Sequence, residues 1–454
     1  MLALAAVLCS AALAFTPAGL GVPAPIGGLA GPSAPGALGV AYTPAAAHPE
    51  RGEWALDLGW AHSDLAYTLD WAPNEPVTSS GGAVAPSLAA TIPIGDFGIG
   101  FAFFPLIARG GGGESAPTDA SRRFYSYEGA IQVLEIDGAL AWQPGPRWTF
   151  GVGPRVGLAS VNSRKALETG ATLGQMLGLG EEAPIGQPFL EGTQSLIEHS
   201  GVGVGWIAGV RFESENGPSV DLSVRSRIDA TVTGPLELVL SNDMPLTISA
   251  DVATDFPFPA AGFLSMAMPL GRASAVVEVS WVGWGSMFAY QSNVQNFSIT
   301  SEDATMQGIL EAYGVTEAEF LEEAGAATVT TGMRDVINTG GAVIVPTSDA
   351  LELRAGVWNF PSVVPDAYAH PSNLDFHTID LRAAAAWTPS PRWTFGLSGD
   401  VYLSPTRDIE ETLHDWIAPG VGGSLVPSGA GSYSLSLYRL GLTVIFRHGA
   451  EAAG

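Results

Sequence analysis

The side chains that could do chemistry in this chain are mostly arginines and carboxylates. Arg155, Arg225, Arg227, Arg354 and Arg382 lie in segments that alternate apolar with polar residues, each on the polar side. A guanidinium on a low-dielectric wall is the group that would take a carboxylate ligand through charge-assisted hydrogen bonds. Asp221, Asp229, Glu278, Asp380 and Asp400 share that polar side, so a salt-bridge lattice is the other use of the same arginines. Histidine offers less. His48, His62, His199, His370, His377, His414 and His448 fall mostly in loops or at segment ends, with no nucleophile pattern beside them. Only His370 and His377 approach a ligand spacing, and Pro371 lies between them. No catalytic residue, metal centre or cofactor is expected.

The elements that must position these groups follow from composition. Of 454 residues, 57 are Gly and 33 Pro, only 14% are charged, and the mean hydropathy is +0.24. That is too apolar for a loop-rich soluble chain. The formal charge of −26 leaves no basic face for nucleic acid. The one cysteine, Cys9, sits in the apolar stretch Leu2–Leu13 ahead of Ala12-Leu13-Ala14, a pattern that reads as a signal peptide over 1–14, without the usual basic n-region. Removing it would leave no cysteine, and so neither disulfides nor thiol chemistry.

Beyond the leader no run of 18 apolar residues could cross a bilayer as a helix. Period-two alternation takes up the hydrophobicity instead. Trp54, Leu56, Leu58 and Trp60 alternate with Ala55, Asp57 and Gly59; Val220, Leu222, Val224 and Ile228 alternate with Asp221, Ser223, Arg225, Arg227 and Asp229; Trp393, Phe395, Leu397 and Val401 oppose Ser398 and Asp400. Such segments fall at 53–63, 84–93, 96–107, 129–143, 147–159, 201–213, 218–232, 260–269, 272–287, 333–345, 351–360, 376–388, 392–403 and 433–446. Short turns such as Gly95-Asp96 and Ser390-Pro391 alternate with long connections at 160–200, 289–332 and 404–432. An apolar outside, a polar inside, and short turns on one rim against long loops on the other predict an all-β fold: a transmembrane antiparallel β-barrel of about 14 strands over 53–446 in a Gram-negative outer membrane. The last segment carries Arg439, Gly441, Val444 and Phe446, the pattern by which barrel-assembly machinery recognises a final strand, here followed by a tail, 447–454. A Gly-, Ala- and Pro-rich stretch, 15–52, precedes the first strand.

Several stretches, in order along the mature chain, resemble the FadL/TodX family of outer-membrane long-chain fatty acid and hydrocarbon transporters. Gly28–Ala47, ending in Tyr42-Thr43-Pro44-Ala45, is similar to the family's N-terminal hatch, which ends in Tyr-Asn-Pro-Ala. Phe104-Pro105-Leu106 resembles its Pro-Phe-Gly, Val224-Arg225-Ser226 its Tyr-Arg-Ser, Trp284-Gly285-Ser286-Met287-Phe288 its Trp-Ser-x-Phe, and Leu353-Arg354-Ala355-Gly356 with Val364-Pro365-Asp366 its Leu-Arg-x-Gly and Val-Pro-Asp. The resemblance implies a barrel plugged by its N-terminal segment that moves fatty acids or other hydrophobic molecules inward without catalysis. A general diffusion porin, or a surface receptor or structural barrel, is the alternative.

In that frame the hatch is Tyr42, Thr43, Pro44 and Ala45. The loops would carry small helices: Met306, Ile309, Leu310 and Tyr313, then Val315, Phe320 and Leu321, lie at helical spacing, and Thr316-Glu317-Ala318-Glu319 forms a capping box. With Leu173, Met176 and Leu177 of the other long loop, these offer a hydrophobic ligand a first landing groove. Arg164 and Lys165 stand where the family places a ligand-binding basic residue, with Arg155, Arg225 and Arg354 as further candidates. A lateral exit into outer-membrane lipid is expected beside Gly98, Gly100 and Pro105, since a proline cannot donate to a strand ladder.

Overall fold

The computed structural model describes residues 36–74, 76–112, 128–168, 191–215, 217–239, 246–301, 303–304, 307–308, 326–371, 373–412 and 429–448. The strands are β1 (Gly52–Leu69), β2 (Val77–Ile94), β3 (Phe97–Gly112), β4 (Glu128–Gly145), β5 (Trp148–Glu168), β6 (Glu191–Glu213), β7 (Ser219–Arg225), β8 (Ile228–Val239), β9 (Leu246–Phe258), β10 (Ala261–Leu270), β11 (Ala273–Val282), β12 (Ala289–Ser301), β13 (Ala326–Thr330), β14 (Val336–Pro346), β15 (Leu351–Phe360), β16 (Thr378–Ser390), β17 (Trp393–Leu403), β18 (Arg407–Ile409) and β19 (Gly431–His448). Antiparallel pairing runs β1–β2–β3–β4–β5–β6–β7–β10–β11–β14–β15–β16–β17–β19. It returns from β19 to β1 along their whole length, Gly52 against His448 through Leu69 against Gly431. The sheet is thus a closed all-β barrel. A branch β6–β8–β9–β12–β13 continues the wall toward the long-loop rim.

The alternation read from the sequence is realised as an inside and an outside. Trp54, Leu56, Leu58, Trp206, Leu222, Val224, Leu397, Leu440 and Leu442 are exposed on the outer face, whereas Asp57, Glu135, Asp137, Arg155, Asp221, Arg225, Asp380, Arg382 and Asp400 are buried within. So many exposed large apolar side chains would be an aggregation hazard in water and are the expected coat in hydrocarbon. Aromatic pairs bound the coat. Trp148 packs at a tilt against Phe212 and Trp393 against Phe446 at the short-turn rim, and Trp60, His62 and Tyr438 group farther up.

Above that upper group the polarity reverses. Along β19, Tyr438, Leu440 and Leu442 face out near Arg439 and Thr443, but nearer the long loops Ser432, Ser434 and Ser436 face out while Tyr433 and Leu435 are buried. In β7 and β8 the reversal is made by a break at Ser226-Arg227 that shifts the alternation by one residue. Ile228, Ala230 and Val232 therefore point in, and Arg227 and Asp229, expected inside, pair with each other on the exposed face. A one-residue shift exchanges every side chain between faces.

The strands also reach farther than their apolar segments. β5 and β6 extend into the expected loop 160–200, β12 and β13 into 289–332, and β18 and the start of β19 into 404–432; β9 has no counterpart among the expected segments, and β19 runs on through Arg447 and His448. These extensions are polar outside, so the alternation that marks a lipid-facing strand is missing there. The expected leader and the loop helices fall almost wholly outside the described residues.

Gly36–Ala47 lies inside the ring as two 3-10 turns, Ala37–Ala41 and Pro44–Ala47, with every side chain buried. Small residues on both sides make the approach possible. A Cβ on Gly98 would collide with the Ala47 carbonyl and one on Gly151 with the Pro44-Ala45 peptide, and a Cβ on Gly100 would come within 2.7 Å of the Ala47 side chain.

The position of the belt can be tested on one ladder. Leu397→Arg, facing out between the aromatic groups, should cost about 2–4 kcal/mol of folding free energy in lipid vesicles, whereas Ser434→Arg, beyond Tyr438, should cost little. Urea titration followed by tryptophan fluorescence reads both; equal losses would displace the belt.

Candidate functional site

Four features of the interior bear on function: an ion-pair cluster against the N-terminal segment, a second on the opposite wall, a packed apolar region above them, and a split in the ladder.

In the first, Glu135 and Asp137 project from β4, Arg155 from β5 and Arg225 from β7. Arg155 Nε meets Glu135 Oε1 at 2.5 Å, and Arg225 Nη2 pairs with Glu135 and lies 2.7 Å from Asp137 Oδ2. The other ends of both guanidiniums hold backbone: Arg225 Nη1 donates to the Ala41 carbonyl at 3.0 Å and Arg155 Nη1 to that of Ser226. Ser223 Oγ donates to the Tyr42 carbonyl at 2.7 Å, and Ala37 N–H to Glu53 at 3.0 Å. The wall thus grips the N-terminal segment through carbonyls, which needs donors on the wall rather than polar side chains on the segment. Burial pushes the Tyr42 phenol above its ordinary range, so it stays neutral, its ring edge-on to Phe263 at 6.1 Å.

On the opposite wall, Arg382 pairs with Asp380 at 2.5 Å and lies 4.1 Å from the Trp358 ring centre, while Arg439 pairs with Asp400 at 2.6 Å. The Trp358 indole donates to Glu278 at 2.9 Å and the Thr443 hydroxyl to Asp57 at 2.6 Å. Back on the first wall, Arg211 of β6 pairs with Asp221 of β7 at 2.7 Å.

Toward the long-loop rim the interior becomes apolar. Phe256, Phe258, Phe263, Trp284, Met287 and Met333 are all at most 3% exposed. The connection 361–377 covers them with Val364, Leu374 and Phe376 and is tied down by Arg407, which donates to the Asp375 and Val364 carbonyls and to Asp366 at 2.6–2.7 Å. Aromatic and thioether side chains suit apolar guests of varied shape.

The split lies between β2 and β3. β2 pairs with β1 from Val77 to Thr91, and β3 with β4 from Phe97 to Gly112, but β2 and β3 pair with each other only from Ile94↔Phe97 to Leu88↔Phe103. Continuing that register would oppose Pro86 to Pro105, two residues without N–H donors. Leu106 is also bulged from the β3–β4 ladder. Val84 and Leu88 flank Pro86 and are 65% and 39% exposed, so the split opens at the depth of the apolar coat.

The expected residues fall as follows. Arg155 and Arg225 stand in the first cluster, and Arg354 pairs with Glu352 at 2.7 Å near the short-turn rim. Arg164, near the end of β5, donates to Ser195 at 3.3 Å. The side chain of Lys165, and Leu173, Met176, Leu177, Phe320 and Leu321, lie outside the described residues. Tyr42, Thr43, Pro44 and Ala45 are all buried. Pro105 sits at the split, but Gly98 and Gly100 are paired on both sides, with Pro93 and Thr91 in β2 and Ala141 and Ala139 in β4; they make room for the N-terminal segment. The sequence reading missed Pro86. Its signal was available, a proline inside an alternating segment, but its meaning depends on the strand opposite.

One constellation resembling hydrolytic chemistry forms on the outer face, where Ser80 Oγ and Asp64 Oδ1 each lie 3.2 Å from His62 Nε2. Both use the same ring nitrogen. A relay needs the serine on one nitrogen and the carboxylate on the other, so this grouping is no triad. Among the described residues no three His, Cys, Asp or Glu are placed to hold a metal.

No protein-family model matches the chain and no curated protein matches it in sequence. Solved structures do. A Pseudomonas aeruginosa FadL homologue superposes with a TM-score of 0.72 at 14% identity, covering 95% of this chain and 98% of its own. The Pseudomonas putida toluene transporter TodX gives 0.63 at 14% over 90% and 94%, and the Ralstonia pickettii toluene transporter TbuX 0.62 at 15% over 97% and 100%. The chain therefore has the FadL/TodX fold over nearly its whole length.

The grip on the N-terminal segment yields a prediction. Arg225→Gln leaves buried Glu135 and Asp137 short of a charge and releases the Ala41 carbonyl, at a cost of about 3–5 kcal/mol. Limited proteolysis should then cut within 36–47 in a barrel that still migrates as folded on unheated gels. Arg227→Gln, on the exposed outer face, should leave 36–47 protected.

Proposed function

We propose that this chain transports hydrophobic compounds across a Gram-negative outer membrane, taking them in at the long-loop rim and releasing them sideways into the bilayer. The observation that carries the reading is the split at Pro86 and Pro105, beside an apolar part of the interior and above a part lined by ion pairs and the N-terminal segment. A hydrophobic molecule sent through the polar half into water would be rehydrated at about 0.8 kcal/mol per methylene. Leaving through a break at hydrocarbon depth avoids that cost.

The finer parts belong to the same proposal. Residues 1–14 are a signal peptide, and 15–52 form a hatch in which Tyr42, Thr43, Pro44 and Ala45 make the innermost turn. The barrel has fourteen spanning strands if β7 with β8, β9 with β10, β11 with β12, β13 with β14, and β17 with β18 each count once; the pairing circuit that closes from β19 to β1 supports this count. Arg439, Gly441, Val444 and Phe446 on β19 are the signal read by the barrel-assembly machinery. Loops carrying Leu173, Met176, Leu177, Phe320 and Leu321, with Arg164 and Lys165 nearby, are the landing surface. The toluene carried by TodX and TbuX supports a hydrophobic cargo.

Two experiments test this. In planar bilayers the wild type should show little ohmic conductance and a variant lacking residues 18–47 substantially more; a large conductance in the wild type would make the barrel a diffusion pore. Pro86→Thr with Pro105→Thr restores two donors and should zip the ladder. Uptake of a labelled hydrocarbon by cells should then fall at least tenfold with binding to purified protein retained. Undiminished uptake by the folded double variant would exclude the lateral route.

A further inference from the structure

We infer that, among hydrophobic compounds, this barrel passes neutral ones and rejects carboxylates; the inference rests on the transport reading above and narrows it. It comes from a charge account of the interior. Every arginine buried in the described wall already holds a carboxylate: Arg155 and Arg225 share Glu135 and Asp137, Arg211 holds Asp221, Arg382 holds Asp380 and Arg439 holds Asp400. At the rims Arg354 holds Glu352, Arg447 holds Glu53, and Arg407 holds Asp366 and Asp375.

The acids outlast the bases. Asp57 takes its hydrogen bond from the Thr443 hydroxyl and Glu278 from the Trp358 indole, both neutral donors. A carboxylate entering this lumen would shed its water, find the cations engaged and face carboxyl groups of its own sign.

Nor can the arginines change partners cheaply. Arg225 and Arg155 each hold a backbone carbonyl with another nitrogen, and Arg382 lies against the rings of Trp358 and Phe360. Turning any of them toward a ligand would strand a buried aspartate or glutamate. At long range the chain's charge of −26 acts in the same direction. A neutral hydrocarbon or ester meets none of these penalties and gains by contact with the apolar part of the interior.

The test pairs molecules that differ in charge and by one ester methyl. Methyl dodecanoate and dodecanoate, and methyl 2-naphthoate and 2-naphthoate, are titrated at pH 8 into the purified full-length protein in micelles, with protein-free micelles as the partition blank. Each ester should bind at least tenfold more tightly than its acid. Asp57→Asn with Glu278→Gln, which removes the unmatched acids, should shrink that ratio at least threefold in protein that remains folded on unheated gels. If the pair does not assemble, Glu278→Gln alone carries the comparison. Acids that bind as tightly as their esters overturn the inference while leaving hydrophobic transport standing, and a ratio unmoved by the variants overturns the cause assigned to it. Binding of neither esters nor acids overturns the transport reading itself, and the inference with it.

Discussion

Hydrocarbon offers no hydrogen-bond partners, so every backbone N–H and C=O at bilayer depth must be matched within the protein. The closure of β19 on β1 over their full lengths follows from that constraint, and so does the form of the one interruption. Where β2 and β3 part, the first positions of the continued register include Pro86 and Pro105. Each proline ends the ladder and also removes a donor that the parting would have orphaned. A break made of ordinary residues would leave more unmatched groups at the same place. The split in the ladder thus leaves few backbone groups unmatched.

The two halves of the interior divide the remaining work. Toward the short turns, charged side chains fill the space among themselves and hold the N-terminal segment by its carbonyls. Toward the long loops, where the outer face turns to serine and aspartate, the inside is aromatic and aliphatic. The reversal puts apolar surface outside where lipid is and inside where lipid is not. The apolar lining inside therefore ends at the ion pairs, at about the level where β2 and β3 part.

Much of this was legible in single strands. The alternation at Trp54–Trp60 or Trp393–Val401 gives face and environment together, because lipid and lumen demand opposite chemistry. What escaped depended on two strands or on a shift. Arg227 and Asp229 continue the parity of Arg225 in the sequence, and only the break at Ser226-Arg227 turns them outward. Gly98 and Gly100 read as weak points in a strand, yet their missing side chains are occupied by a segment some fifty residues earlier. Pro86 had no meaning until its opposite was known. The arginines were found by type and parity, but whether a guanidinium is available to a ligand depends on which carboxylates the other strands bring to it.

The burial of Gly36–Ala47 against β3, β5, β6 and β7 constrains the order of events when the chain is made. These residues precede their partners, which follow over about the next two hundred residues, and the seam that encloses them is closed by β19. A ring sealed first would have to admit the segment through a rim already crowded with side chains. The growing sheet must instead curl around the segment while one edge is still open, with Arg225 and the glycines of the early strands docking it before the final edge arrives. The segment ahead of β1 is in this sense the mandrel on which the strands are wound, and a residue that weakens its docking would slow the winding as well as loosen the finished barrel.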